Sequence, residues 1–237
     1  MRVLGVIPAR GGSKGLPRKN VRPMLGKPLI AWTVTQAAKS NYLDRVIVST
    51  DDDEIAAIAR AHGADIPFIR PAELARDDSP VADAVVHALT TLKNAGDSYG
   101  FVALLEPTSP MRRRGDIDCG LKLLLEHRTA ASLVTAGEVH TEHPLIVKRI
   151  VDKWIVPYIA SNTLVYQRQQ ADKVYFPYGV LYCAKVSSYL TGRTFYTERT
   201  IPMLIDRWQN YEIDDELDWM VVETIMRTKI AEIDGGS

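Results

Sequence analysis

Cysteine is nearly absent from this 237-residue chain, which has two, Cys119 and Cys183. Two thiols so far apart exclude a disulfide framework and a cysteine-based metal knuckle, and both are expected to be buried and reduced. Net charge is absent too, with 29 Lys plus Arg against 29 Asp plus Glu. That balance excludes a global pull toward nucleic acid or a membrane surface, so any anion site must be local. No apolar run approaches the length of a membrane span, and the first is cut by Gly5 and Pro8, too short for a signal peptide. A soluble, cytoplasmic protein is expected, with no nucleic-acid or membrane partner. The Walker pattern is missing, since Gly15 is followed by Leu16, and so is the dinucleotide fingerprint GxGxxG. The five histidines supply no ligand set. His62, His87 and His127 fall in helical stretches, and around His140 and His143 no cysteine or carboxylate clearly completes a ligand set, so no metal is assigned there. No Ser-His-Asp or Cys-His arrangement, internal repeat or low-complexity tract is present.

What the chain does have is concentrated in its first twenty residues, MRVLGVIPARGGSKGLPRKN. The apolar run 3–7 reads as a buried strand, and the residues after it as a loop at the strand's carboxyl end. Three glycines, Gly11, Gly12 and Gly15, let backbone N–H groups turn toward an anion, and Arg10, Lys14, Arg18 and Lys19 surround them with cations. This loop is a candidate polyphosphate cradle.

Strands and helices then alternate. Helices are expected over 29–39, 54–62, 81–92 and 116–127, and strands over 45–50, 66–70, 101–105 and 131–135. The pace argues an α/β fold with a mostly parallel sheet covered on both faces. In such sheets ligands sit outside the carboxyl ends of the strands, so the loops at 8–20, 70–80 and 106–114 can converge on one crevice. Between 138 and 176 the pattern breaks into short polar and aromatic segments, read as an inserted β-hairpin lobe with a dimer-contact role inside a single domain spanning 1–237. A core strand returns at 179–184, and 194–205 is extended. A last helix over 217–233 can present Leu217, Val221, Ile225 and Ile230 as its apolar face.

Two acidic clusters need weighing. Asp51-Asp52-Asp53 resembles a metal site, but at a helix start carboxylates satisfy free amides and the dipole, and capping is the stronger reading. Glu212-Ile213-Asp214 is extended, so its two carboxylates share a face, as Mg2+ prefers. Capping of the last helix through Asp215 and Asp218 is the competing reading.

Taken together, five blocks resemble the acylneuraminate cytidylyltransferases and their relatives that activate other nine-carbon acid sugars. They are Ile7–Asn20, Val48–Asp51, Arg70–Ala75, Leu105–Arg112 and Glu212–Asp214. The resemblance implies a Rossmann-like three-layer sandwich of the nucleotide-diphospho-sugar transferase type. It implies CMP transfer from CTP to a 2-keto-3-deoxy acid sugar (sialic, legionaminic or related), with release of pyrophosphate. Lys19 and Arg10 are the implied catalytic cations. Arg10, Gly11, Gly12, Ser13, Lys14, Asn20, Arg70 and Ser79 are the implied CTP contacts, and Glu212 and Asp214 the Mg2+ ligands. Glu106, Arg168, Tyr182, Phe195 and Tyr196 are the implied sugar contacts, with Arg168 reaching in from a neighbouring subunit of a homodimer or tetramer. Tyr182, Phe195 and Tyr196 read equally well as core packing. The chain departs from the family pattern at Glu106, where glutamine is common, at Glu212, where aspartate is usual, at Ile146 and at Phe176-Pro177-Tyr178-Gly179. Two other readings remain open. One is a nucleotidyltransferase for keto-deoxy-octulosonate or a sugar 1-phosphate, and the other a non-catalytic nucleotide-sugar-binding paralog.

Overall fold

A computed structural model describes residues 2–159 and 172–235. Strand β1 (Val3–Pro8) shows why the chain forms layers. Val3 and Ile7 enter one apolar cluster, while Leu4 and Val6 enter another on the opposite face. The same period of two recurs in β5 (Phe101–Leu104), where Phe101 and Ala103 face the first cluster and Val102 and Leu104 the second. A strand apolar on both faces must be covered twice. On the first face lie α1 (Leu29–Ala38), α2 (Asp53–Ala61) and α4 (Asp116–Glu126). On the second lie α3 (Val81–Asn94) and α5 (Val186–Gly192).

Short strands β2 (Pro23–Met24) and β3 (Lys27–Pro28) pair beside the first loop. The main sheet adds β4 (Arg45–Ser49), β6 (Ser132–Glu138), β9 (Tyr175–Lys185) and β10 (Thr200–Leu204), in the order β10-β6-β9-β5-β1-β4. Five of its strands run one way. Strand β9, wedged between β5 and β6, runs antiparallel to both, so the expected core strand at 179–184 is longer than its apolar run and reversed. The three-layer, mostly parallel α/β expectation holds.

Three local expectations fail. The stretch 66–70 is not a strand: one parallel bridge, Ile47 with Asp65, is all that forms. Pro67 has no N–H to give a ladder, and it ends the pairing just begun. On the last helix, α6 (Glu216–Asp234), the buried residues are Trp219, Val222, Met226 and Ile233, whereas Leu217 is 64% exposed. Trp219 brings the largest apolar surface and sets the rotation, packing with Leu16, Met24, Trp32 and Ile213 in a third cluster beside the first loop. Of the two cysteines, Cys183 is buried but Cys119 is exposed on α4.

The 138–176 segment contains a hairpin, β7 (Lys148–Val151) with β8 (Trp154–Pro157), turned by Asp152 and Lys153 at positive φ. His143 ties its base: it accepts from Leu145 N–H through Nδ1, and Nε2 donates to Asp172 O. Both ring nitrogens are thereby used. Among the described residues, no helix is long and apolar enough to cross a membrane.

Candidate active site

The carboxyl ends of β1, β4 and β5 lie side by side, and the loops that leave them enclose a cleft of about 290 Å3. Of the expected site residues, Arg10, Ser13, Lys19, Asn20, Arg70, Ser79 and Glu106 line it together. They come from the three loops that the strand order was expected to converge.

Lys19 is 9% exposed, in a one-turn helix Lys19–Val21. Its Nζ donates to Ile213 O at 2.5 Å and lies 3.6 Å from Asp214 Oδ1. Burial pulls the ammonium below its usual range, and Asp214 works against that shift. Asn20 Nδ2 donates to Arg10 O at 3.1 Å and so pins the loop from inside. Arg10 Nη1 is 2.8 Å from Asp77 Oδ1, and Lys14 Nζ is 2.9 Å from Asp77 Oδ2.

The glycines of the loop divide their work differently from the expectation. Gly11 N–H donates to Asp51 Oδ1 at 3.0 Å, so in this arrangement that amide faces a carboxylate inside the protein. None of the three adopts positive φ. Gly15 is small for another reason: a Cβ there would collide with the backbone oxygen of Asp214. Gly12 alone of the three opens onto free space. Asp51 also faces Arg70, whose Nη2 lies 3.7 Å from the same Oδ1. Arg70 is 6% exposed, and its Nε and Nη2 have no hydrogen-bond acceptor among the described residues. Burial lowers its pKa against the pull of Asp51. Asp52 is the cap of α2, accepting from Ile55 N–H, and pairs with Arg18. Within the acidic triplet Asp52 is the cap that the capping reading expected, whereas Asp51 anchors the loop instead. Ser79 Oγ donates to Glu73 O, which leaves its lone pairs to the cleft.

Across the cleft, Ile213 is fully buried in the third cluster, so Glu212 and Asp214 point the other way, as alternation requires. Glu212 Oε1 accepts from Gly179 N–H at 2.5 Å and Ser109 Oγ at 3.1 Å. Asp214 is largely exposed. Among the described residues no three His, Cys, Asp or Glu form a metal cluster. A two-carboxylate pair completed by phosphate oxygens is nevertheless the ordinary way Mg2+ is held, and the donor set fits that mode.

Glu106 lies over Gly179, where an added Cβ would sit 2.8 Å from Glu106 Cβ. Burial first, then the charges of Glu212 and Asp214, push its carboxyl up to about 7. Beneath it Arg112 is fully buried and fully used. It donates to Val180 O, Thr33 Oγ1, Ser109 O, Glu106 O and Gly179 O at 2.6–2.9 Å, locking the proline-rich loop to β9 and α1. Beside Glu106, the Tyr182 ring centroid is 5.8 Å from Phe195 and 6.4 Å from Tyr196. Phe195 is buried against Tyr189 in the second cluster, whereas Tyr196 is 54% exposed. Arg168 lies outside the described residues. Asp77 also lines the cleft, and Asp51, Ser109, Arg112 and Gly179 brace the segments around it. Ser109 and Arg112 stood in the motif blocks without a role, and Asp51 only as part of a capping cluster, because Gly179, Val180, Glu212, Gly11 and Arg70, which they meet, lie far off in sequence.

The chain resembles known proteins along the same line. The CMP-N,N'-diacetyllegionaminic acid synthase of Legionella pneumophila is 33% identical over 95% of this chain and 97% of its own length. The N-acylneuraminate cytidylyltransferase of Escherichia coli is 32% identical over 96% of this chain, which spans 53% of that longer protein. In fold, it matches the structure of CMP:2-keto-3-deoxy-manno-octonic acid synthetase complexed with CTP, with a TM-score of 0.69 at 17% identity over 97% of this chain and all of that one. The model of the cytidylyltransferase family matches residues 4–215, and the chain belongs to that family of enzymes.

Proposed function

We propose that the protein transfers CMP from CTP to the anomeric hydroxyl of a nine-carbon 2-keto-3-deoxy acid sugar, a sialic, legionaminic or related acid, with release of pyrophosphate. The observation that carries this reading is the gathering of Arg10, Ser13, Lys19, Asn20, Arg70, Ser79 and Glu106 around one cleft. In the reaction the anomeric oxygen bonds to the α-phosphorus, the bridging P–O bond to the β-phosphate breaks, and the hydroxyl proton is released. Such chemistry needs positioning and charge compensation more than covalent help.

Arg10, Ser13, Lys14 and the open backbone at Gly12 take the outer phosphates. Lys19, held by Ile213 O and stripped of most of its water, faces the α-phosphate, where a desolvated cation acts most strongly on growing charge. Asn20 touches the nucleotide beside it, and the unsatisfied guanidinium edge of Arg70, with Ser79, takes the cytosine or its ribose. Glu212, through Oε2, and Asp214 hold Mg2+, which when bound neutralises phosphate and pyrophosphate charge. The acid sugar lies against Glu106, Tyr182 and Tyr196, with Phe195 backing the wall. The exposed hairpin supports a homodimer: Ile150 is 80% exposed, and Trp154 and Ile155 are 75% exposed, an apolar load that single chains rarely show to water. The family resemblance alone is the ground for giving Arg168 a role at the partner's sugar site. A reaction that consumes CTP suits the cytoplasm.

The test is pyrophosphate release from CTP and Mg2+ with a panel of sialic, legionaminic and pseudaminic acids, keto-deoxy-octulosonate and a sugar 1-phosphate. Release with a nine-carbon acid is expected. Release with keto-deoxy-octulosonate or the phosphate alone overturns the acceptor class, and CTP binding without release on any sugar leaves the non-catalytic reading. Sedimentation of a fully active monomer would refute a shared site.

A further inference from the structure

The two outer cations of the first loop already hold an anion. One carboxylate bridges them, Asp77 Oδ1 to Arg10 at 2.8 Å and Oδ2 to Lys14 at 2.9 Å. A carboxylate offers two oxygens to two cations much as a phosphate does. Asp77 lines the same cleft as Arg10, Ser13 and Lys19. The segment that presents it is short and tied to itself. Arg70 N–H donates to Thr50 O at 2.7 Å, and a single 3-10 turn covers Ala72–Leu74. Ser79 then closes back through N–H to Arg76 O and through Oγ to Glu73 O. Both pairs are open to water, with the Lys14 side chain 80% exposed and that of Asp77 39% exposed, so they are weak enough for a stronger anion to break.

We propose that Asp77 is a resident competitor for the phosphate grip, filling it in the free protein, yielding to a polyphosphate and returning as pyrophosphate departs. The proposal rests on the reading of this loop as the triphosphate grip. Its consequence is a selective cost. A ligand that needs Arg10 and Lys14 (CTP, pyrophosphate) must first displace Asp77. A ligand whose single phosphate sits at Lys19 (CMP) need not. Free pyrophosphate, with no nucleoside to engage Arg70, bears that cost with the fewest compensating contacts, and so is released most readily.

The experiment is calorimetric titration of inorganic pyrophosphate, and separately of CMP, both with Mg2+, into the wild type, Asp77→Asn and Asp78→Asn. Asp78 is the exposed neighbour, and its substitution removes the same charge from almost the same place. Loss of two exposed ion pairs as competitors corresponds to about three- to tenfold tighter pyrophosphate binding in Asp77→Asn. CMP affinity is expected to stay within about twofold, and Asp78→Asn to follow the wild type in both titrations. Unchanged pyrophosphate affinity in Asp77→Asn overturns the proposal. So does an equal gain in Asp78→Asn, which would assign the effect to the general field of the cleft. No acceptor sugar enters these titrations, so failure of the transfer reaction in the sugar panel is scored separately.

Discussion

Replacing Glu106 by glutamine should stabilise the free protein, and the gain should grow with pH. The carboxyl is half-buried, and its folded-state pKa is raised from 4.5 to about 7, first by desolvation and then by Glu212 and Asp214. A raised carboxyl binds its proton more tightly in the folded state than in the unfolded state, so stability is highest below pH 4.5. It falls as pH rises through the window from 4.5 to 7, and the loss is complete above 7. A displacement of about 2.5 units at 1.36 kcal/mol each is a penalty of about 3 kcal/mol at pH 8 and about 1 kcal/mol at pH 5. Glutamine keeps the size of the side chain and has nothing to ionise. Glu106→Gln is therefore expected to gain about 2 kcal/mol more over the wild type at pH 8 than at pH 5. For a chain of this length that is a further rise of roughly 4–8 °C in melting temperature. The assay is thermal denaturation followed by circular dichroism at the two pH values, with EDTA and no nucleotide, so that no metal ion neutralises Glu212 and Asp214. An equal shift at both pH values, or a variant less stable than the wild type at pH 8, refutes the reasoning.

Lys19→Ala should lower kcat by about 10²- to 10³-fold, the usual loss of one preorganised charge at a transition state, while CTP affinity falls less than about tenfold in direct titration. Comparable losses in both would make Lys19 an ordinary binding residue. Asp214→Asn should raise the Mg2+ concentration for half-maximal rate by about tenfold or more, with activity recovered at high Mg2+, because one of two carboxylate ligands is neutralised; an unchanged Mg2+ requirement removes Asp214 from the metal site. Gly15→Ala should raise the same Mg2+ requirement and depress kcat in a folded protein, because its Cβ meets the backbone oxygen of Asp214 and one of two main chains must move. Wild-type kinetics in Gly15→Ala would mean that the contact between the loop and the acidic segment does not set the site.

The features legible in the sequence are those whose cause is local. The short apolar runs of β1 and β5, the capping aspartate at 52 and the carboxylates flanking Ile213 each follow from a period or a preference spanning a few residues, and the structure has them. Where two local signals compete, the sequence alone cannot rank them. Leu217, Val221, Ile225 and Ile230 mark one face of α6 while Trp219, Val222, Met226 and Ile233 mark another. The choice was made by the cavity that Leu16, Met24 and Trp32 leave for Trp219. The stretch 66–70 shows the opposite failure, an apolar run whose one proline outweighs its composition. The cleft depends on a third kind of information. Arg112 acts through acceptors at Thr33, Gly179 and Val180, Gly15 through the backbone of Asp214, and Asp51 through Gly11 and Arg70. None of these pairings has a spacing to read. They also alter the meaning of the glycine-rich loop. Its residues are small partly for contact with the protein itself, since Gly15 admits the acidic segment and Gly11 gives its amide to Asp51. On the proposed function, the anion grip is therefore carried more by Arg10, Lys14 and Lys19 than by backbone amides. A grip made of side-chain cations is one that an aspartate from a neighbouring loop can fill and leave, which an amide nest, fixed in the backbone, would not allow.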